Sequence, residues 1–272
     1  MDTALIIFRV FMPHAIILGI TADIGRALAE RLICDGWTVT GLGRDLGRVA
    51  DLGATCIEID MKDSASVASV CGQIGRWDLF VSSVGTMTPI GPFFDLNFEE
   101  WEGSIIVNLT GQLRVLHALW SKRVLRPHIM FFAGGGTNNP MPNYSAYCVS
   151  KIALIKMVEL IDDEVSEANV FINGPGFTRT RIHEETLSAG ILAGEGLAKT
   201  EALLESGNGT SMDDIYKHMQ WCMAHPLAAS GRNFSTVHDP WRYGNILATA
   251  LEGEPDALRL RRAHVKGLQA CK

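Results

Sequence analysis

The sequence predicts an α/β protein built on a doubly wound parallel sheet (three layers, α/β/α, in a single domain), and two observations carry the prediction. Short apolar runs ending in small residues alternate with longer amphipathic stretches from residue 14 to about residue 241, the pattern of successive βα units. The first unit passes from strand to helix through a glycine-punctuated turn, Gly19 to Gly25. A chain of 272 residues with 47% hydrophobic and 20% charged residues can fill one large core, and no repeat or low-complexity linker divides it.

In chain order, residues 14–19 form a short apolar run of the kind that makes a parallel strand buried on both faces. Residues 20–33 read as a turn followed by apolar residues at helical spacing. Strands are expected at 37–42, 54–59, 78–85, 129–132 and 170–173, with a last strand at 231–237. Helices are expected near Ser64, after Asn97 and after Ser211. Asn97 with Glu100 resembles a capping box, and the helix it opens carries Asn108 in its middle. Residues 181–210 are richer in Gly, Ser, Glu and Ala, as expected of a mobile substrate loop or short helices over a site.

The net charge of −6 leaves no basic stripe for a phosphate backbone, so nucleic acid is excluded as the main partner. Cysteines 34, 56, 71, 148, 222 and 271 show neither a CxxC pair nor zinc-like spacing. They read as reduced thiols of a cytoplasmic protein without a metal site. Residues 1–13 are apolar but carry Asp2 and Arg9, lack a basic start and are too short to span a membrane. They are expected to be an N-terminal extension, with Met12 as an alternative start of translation.

The chemistry centres on Tyr147 and Lys151. Four residues apart at the start of a long predicted helix, they share one helix face with Cβ atoms about 5–6 Å apart. An ammonium beside a phenol favours the phenolate, which makes Tyr147 a candidate general acid or base. At the glycine turn, backbone N–H groups and the positive end of the helix that follows suit a pyrophosphate. Gly19, Thr21, Ala22, Asp23 and Ile24 are the candidates there. Asp23 stands where a middle glycine is common, and it is expected to cap the helix. The second strand ends in Gly43-Arg44, and an arginine at that point suits the 2′-phosphate of NADP, where an acid would suit NAD. NADP(H) is therefore favoured, with NAD(H) possible.

Taken in order, these segments resemble the short-chain dehydrogenase/reductase family, with a Rossmann-like fold, over residues 14 to about 241. Gly19 to Gly25 resembles its glycine-rich loop and Ser82-Ser83-Val84-Gly85 its usual Asn-Asn-Ala-Gly. Asn108 resembles its helix asparagine, and Tyr147 with Lys151 its catalytic pair. Pro175, Gly176, Thr178 and Thr180 fall in its Pro-Gly-x-x-x-Thr segment. The resemblance implies that Asp60, with Met61 beside it, meets the adenine, and that Ser83, Val84 and Gly85 also line the cofactor. It implies that Tyr147 exchanges the hydroxyl proton, that Lys151 lowers the tyrosine pKa and binds the nicotinamide ribose, and that Asn108 holds a water linking Lys151 to solvent. The segment from Pro175 to Thr180 would hold the carboxamide. A homodimer or homotetramer packed through the helix bearing Met157, Val158 and Ile161 is also implied; ordinary core burial is the other reading of those residues.

Two departures stand out. The family places a serine about thirteen residues before the tyrosine, and here that position is Gly134; Thr137, Asn138 or Ser145 are the candidates to replace it, or simply loop residues satisfying turns. The pair Ser82-Ser83 is expected to lose side chains that tie neighbouring strands together. His238-Asp239 reads as a turn near the site. The functional expectation is an NADP(H)-preferring oxidoreductase that interconverts a carbonyl and a secondary alcohol, with a small-molecule substrate of sugar-like character. The alternative is a catalytically impaired relative acting as a dinucleotide-binding redox sensor or partner subunit.

Overall fold

The computed structural model describes residues 12–261. Seven strands form one parallel sheet in the order β3-β2-β1-β4-β5-β6-β7. They are β1 (His14–Leu18), β2 (Thr38–Gly43), β3 (Thr55–Glu58), β4 (Trp77–Ser82), β5 (Arg123–Phe132), β6 (Asn169–Gly174) and β7 (Asn233–Ser235). The helices between them are α1 (Asp23–Cys34), α2 (Ser64–Gln73), α3 (Phe98–Ile105), α4 (Gly111–Leu119) and α5 (Ser145–Glu164). After β6 come α6 (Ile182–Ala189), α7 (Glu195–Ser206), α8 (Met212–Ala224) and α9 (Pro226–Ala229), and α10 (Asn245–Glu252) follows β7.

Alternation along the buried strands builds two cores from one sheet. Ala15, Ile17, Leu79, Val81, Met130 and Phe171 face α1, α8, α9 and α10. Their neighbours Ile16, Leu18, Phe80, Ile129, Phe131 and Val170 face α2, α4 and α5. Because both faces are covered, the strands read as continuous apolar runs with no polar alternation. Each fully buried Ile or Leu contributes about 2 kcal/mol of apolar burial. Side chains also set the helix starts: Asp63 accepts from the N–H groups of Ala65 and Ser66, and Ser211 accepts from that of Asp214. Asn97 accepts from Glu99 and Glu100, which is the acceptor half of the expected capping box.

The predicted strands all exist, with shifted ends. β5 starts at Arg123, six residues ahead of the apolar run, because its exposed first half pairs at the sheet rim through Trp77 and Arg123. β7 is shorter than predicted because only Asn233, Phe234 and Ser235 pair with β6. The helix expected to carry Asn108 is interrupted at Ile106–Thr110 by a π-helical turn that places Asn108 in the interior. Such turns cluster at functional positions. Of the two expectations for 181–210, a mobile loop or short helices, the segment takes the second, as α6 and α7. The N-terminal extension and Cys271 lie outside the described residues, and among the described residues no helix is long and apolar enough to cross a membrane.

One buried group makes stability depend on pH. His218 on α8 is 0% exposed, stacked on Trp241 with centroids 5.0 Å apart. Thr236 Oγ1 donates to Asn173 Oδ1 (2.8 Å), so His218 Nδ1, 3.1 Å from that hydroxyl, is its N–H donor. Nε2 then has no partner among the described residues. Burial, followed by the charge of Arg242, pushes the imidazole pKa down to about 3. The folded state therefore binds fewer protons than the unfolded one, and this stability is fully present above about pH 6.5 and lost as pH falls toward 3. The share lost between pH 6.5 and 5 is about 2 kcal/mol at 1.36 kcal/mol per pH unit. Urea unfolding at pH 7.5 and pH 5 should show that His218→Gln narrows the gap in stability between the two conditions. An unchanged gap would mean that His218 does not titrate across unfolding.

Candidate active site

In a parallel sheet the strand ends bearing the loops gather on one edge, and here the strand order reverses between β1 and β4. The glycine turn sits at that point. Gly19 has φ +85°, and a Cβ there would lie 2.7 Å from Val84 Cγ1; a Cβ on Gly25 would lie 2.3 Å from the Gly19 carbonyl oxygen. Only glycine lets these segments touch. The turn is fastened to the end of β4 by Ser83, whose hydroxyl donates to the Gly19 carbonyl at 2.9 Å. Ser82 donates to Gln112 Oε1 at 2.7 Å. The serine pair thus supplies the ties that it was expected to lose, because the short hydroxyls reach α4 and the turn directly.

Asp23 does not cap α1. Ala22 occupies the cap position without a side-chain bond, and Asp23 is the first helical residue. Its carboxylate instead takes Arg181, through the backbone N–H at 2.7 Å and Nε at 3.0 Å.

Beyond the turn, Thr21, Arg44, Asp60 and Met61 line one end of a cleft of about 1400 Å³. Arg44 is exposed and has no hydrogen bond or ion pair among the described residues. Asp60 Oδ1 accepts from the Lys62 N–H at 2.9 Å, and the Met61 carbonyl accepts from Arg114 at 2.6 Å. A side chain on Gly43 would stand 3.1 Å from Thr21 Cγ2, so that glycine keeps the wall beside Arg44 open.

At the other end α5 brings Tyr147 and Lys151 to the cleft floor, 6% and 3% exposed. Lys151 Nζ lies 5.9 Å from the centre of the tyrosine ring and donates to the Phe132 carbonyl at 2.9 Å. Burial pushes the lysine pKa down to about 8. Burial also raises the Tyr147 pKa, with Cys148 and Glu185 adding to the rise. The expectation that the ammonium pulls the phenol toward neutrality is therefore not met, because desolvation outweighs the neighbouring charge.

Asn108 is fully buried and outside the cleft lining. Its Oδ1 accepts from the Thr86 N–H (2.9 Å), while Nδ2 donates to the Thr86 carbonyl (2.8 Å) and to Ser104 Oγ (3.1 Å). The side chain expected to hold a water is committed to shaping the loop after β4.

Gly134 is the most informative departure. A Cβ at this position would lie 2.0 Å from the Tyr147 hydroxyl oxygen, so the phenol occupies the space that a serine would need. Thr137 spends its hydroxyl proton on the Gly134 carbonyl (3.2 Å), and Ser145 accepts from Trp101 Nε1 (3.0 Å) on α3. Asn138 is exposed in the cleft wall. Of the three candidate replacements, Thr137 has thus committed its proton, Ser145 keeps its own but lies outside the cleft lining, and Asn138 remains on the cleft.

After β6, Pro175, Gly176, Thr178 and Thr180 face the same cleft, together with Ile24, Val84 and Gly85. Thr178 is 4% exposed, and its hydroxyl has no partner among the described residues. An orphaned buried hydroxyl at the cleft wall suits a bound polar group. His238 and Asp239 also line the cleft, and the Asp239 carboxylate accepts the Ser235 N–H at 2.7 Å, closing the expected turn.

Sequence reasoning missed Glu185 and Arg181. Glu185 Oε2 accepts from the N–H groups of Met87 (2.5 Å) and Thr88 (3.0 Å) and from the Thr86 hydroxyl (3.0 Å), pinning α6 over the site. Two acids opening a helix were visible in the sequence as Glu184-Glu185, but nothing local shows that Glu185 reaches the backbone of Met87 and Thr88 almost a hundred residues away.

The sequence model of the short chain dehydrogenase family matches residues 13–189. The chain belongs to that family. It is accordingly an oxidoreductase of the NAD(P)-dependent kind. An uncharacterized short-chain type dehydrogenase/reductase of Sinorhizobium fredii is 28% identical over 145 residues, 52% of this chain and 58% of that protein. The 3-oxoacyl-[acyl-carrier-protein] reductase of Escherichia coli is 29% identical over 196 residues, 66% of this short-chain dehydrogenase and 80% of the relative. Among solved structures, one from Shigella flexneri complexed with NADP superposes with a TM-score of 0.69 at 19% identity, covering 82% of this chain and 96% of the other. At that identity it is a likeness of fold.

Proposed function

We propose that this short-chain dehydrogenase interconverts a carbonyl compound and a secondary alcohol, with NADP(H) preferred and Tyr147 as general acid and base. The observation that carries the reading is the juxtaposition of Tyr147 and Lys151 at the floor of the cleft whose far end is the glycine turn. The residues present fit a dinucleotide: a tight turn with a helix N-terminus, and an Arg44 side chain and a Thr178 hydroxyl that have no partner among the described residues. Gly19 to Ile24 would hold the pyrophosphate, Arg44 the 2′-phosphate, Asp60 and Met61 the adenine, and Thr178 and Thr180 the carboxamide. Ser83, Val84 and Gly85 would line the cofactor's path, and Lys151 would turn toward the ribose. When bound, the nicotinamide supplies or takes up the hydride.

Tyr147, protonated at neutral pH, donates to the carbonyl oxygen in reduction and withdraws the hydroxyl proton in oxidation. A wall that includes Asn138, Asn139, Asn143, Glu195 and Lys199 supports a polyhydroxylated, sugar-like substrate. A second reading, a redox-sensing relative with impaired turnover, draws on the missing serine at Gly134.

The cofactor half of the reading is tested by titrating the protein with NADPH and NADH while following nicotinamide fluorescence. NADPH should bind more tightly, and Arg44→Ala should remove that preference, at a cost of about tenfold or more in NADPH affinity for one charge-assisted contact at 1.5–3 kcal/mol. Equal affinity for the two in the unaltered protein would make Arg44 a surface charge and NAD(H) the working cofactor.

A further inference from the structure

We propose that Arg181, held by Asp23, is a positioning residue for the cofactor pyrophosphate and compensates for the acid that replaces a glycine in the turn. The inference rests on the dinucleotide reading above. The first turn of α1 points its free N–H groups at the cleft, the usual seat of a pyrophosphate. Asp23 places a carboxylate at that seat, where it would repel a phosphate as a like charge.

Arg181, just before α6, answers that charge. Its backbone N–H and Nε both go to the Asp23 carboxylate, at 2.7 Å and 3.0 Å, and Nη2 donates to the Thr21 carbonyl at 2.5 Å. The fork is therefore fixed at two points, and the backbone N–H adds a third bond between the two segments. Nη1 has no partner among the described residues, and the side chain is 35% exposed on the cleft, so a donor remains available beside a carboxylate whose charge is offset. An arginine fork of this kind matches phosphate oxygens in geometry as well as charge. The pair also joins the turn to α6, and that mechanical link must be separated from the electrostatic role.

A double-mutant cycle does so. NADPH affinity is measured by nicotinamide fluorescence on the unaltered chain, Arg181→Met, Asp23→Gly and the double variant, with thermal melts to check folding. Arg181→Met should weaken binding at least tenfold, because it exposes the Asp23 carboxylate to the pyrophosphate. The double variant should recover most of that loss, although it lacks the link more completely than the single variant, which keeps the bond from the backbone N–H of residue 181 to Asp23. Arg181→Lys, which keeps the charge without the fork, should fall between and serves if the Met variant does not fold. Unchanged affinity in both Arg181 variants, or a double variant as weak as Arg181→Met, would overturn the inference while leaving the dinucleotide reading intact. Failure of the unaltered chain to bind NADPH or NADH would overturn both.

Discussion

Gly134→Ala is expected to lower kcat by about a hundredfold while leaving the protein folded. The added methyl would sit 2.0 Å from the Tyr147 hydroxyl oxygen and 2.4 Å from the ring carbon that bears it. Neither atom is at the end of a flexible chain: the ring is buried and its helix is packed between β6 and α3. The phenol must therefore swing away by more than an ångström, and a displacement of that size at a reacting group costs on the order of 10²-fold. Gly134→Ser meets the same obstacle at its Cβ, so restoring the hydroxyl typical of the family should also lower turnover. The measurement is steady-state kinetics of both variants with a substrate the unaltered protein accepts. A gain in kcat for the serine variant would show that Tyr147 adopts another position during turnover and that the glycine is a loss without compensation.

Tyr147→Phe should cost about 10²–10⁴ in kcat, the range for removing a general acid or base, with dinucleotide affinity and melting temperature nearly unchanged. The hydroxyl makes no hydrogen bond among the described residues, so its loss leaves no partner unsatisfied. The pH dependence has a sign that follows from the environment. Burial raises the phenol pKa, and Glu185 adds to the rise. At pH 7 the group is protonated and ready to donate, which suits reduction. Oxidation needs the phenolate, so its rate should climb with pH above neutrality while reduction stays flat there. Lys151, with a pKa near 8, carries its charge below that pH and weakens as a partner above it, which caps the climb.

Much of this architecture was legible because the residues carry local signals. The runs at β1, β4 and β6 are apolar on both faces, the glycines at 19 and 25 punctuate a strand-to-helix turn, and the spacing of Tyr147 and Lys151 needs only a helix. What stayed hidden depends on partners distant in sequence. Asp23 has the chemistry of a cap, yet its carboxylate is claimed by Arg181, 158 residues away. Ser82 and Ser83 look like losses until Gln112 and Gly19 are seen within reach. Asn108 matched a family position by sequence, but the π-helical turn that buries it has no sequence signature. The balance at Tyr147 is hidden from the sequence because spacing reveals a charge nearby and says nothing of how much water burial removes.

The most direct test of the account sets two measurements on one protein: NADPH affinity and the rate of NADPH consumption with a polar carbonyl substrate, each for the unaltered chain and for Tyr147→Phe. The account predicts affinities that agree within a factor of about two, one bond being neither gained nor lost, beside a rate that falls at least a hundredfold. An unaltered chain that binds NADPH but turns over no faster than Tyr147→Phe would contradict it, and would leave a dinucleotide-binding protein whose tyrosine does no chemistry.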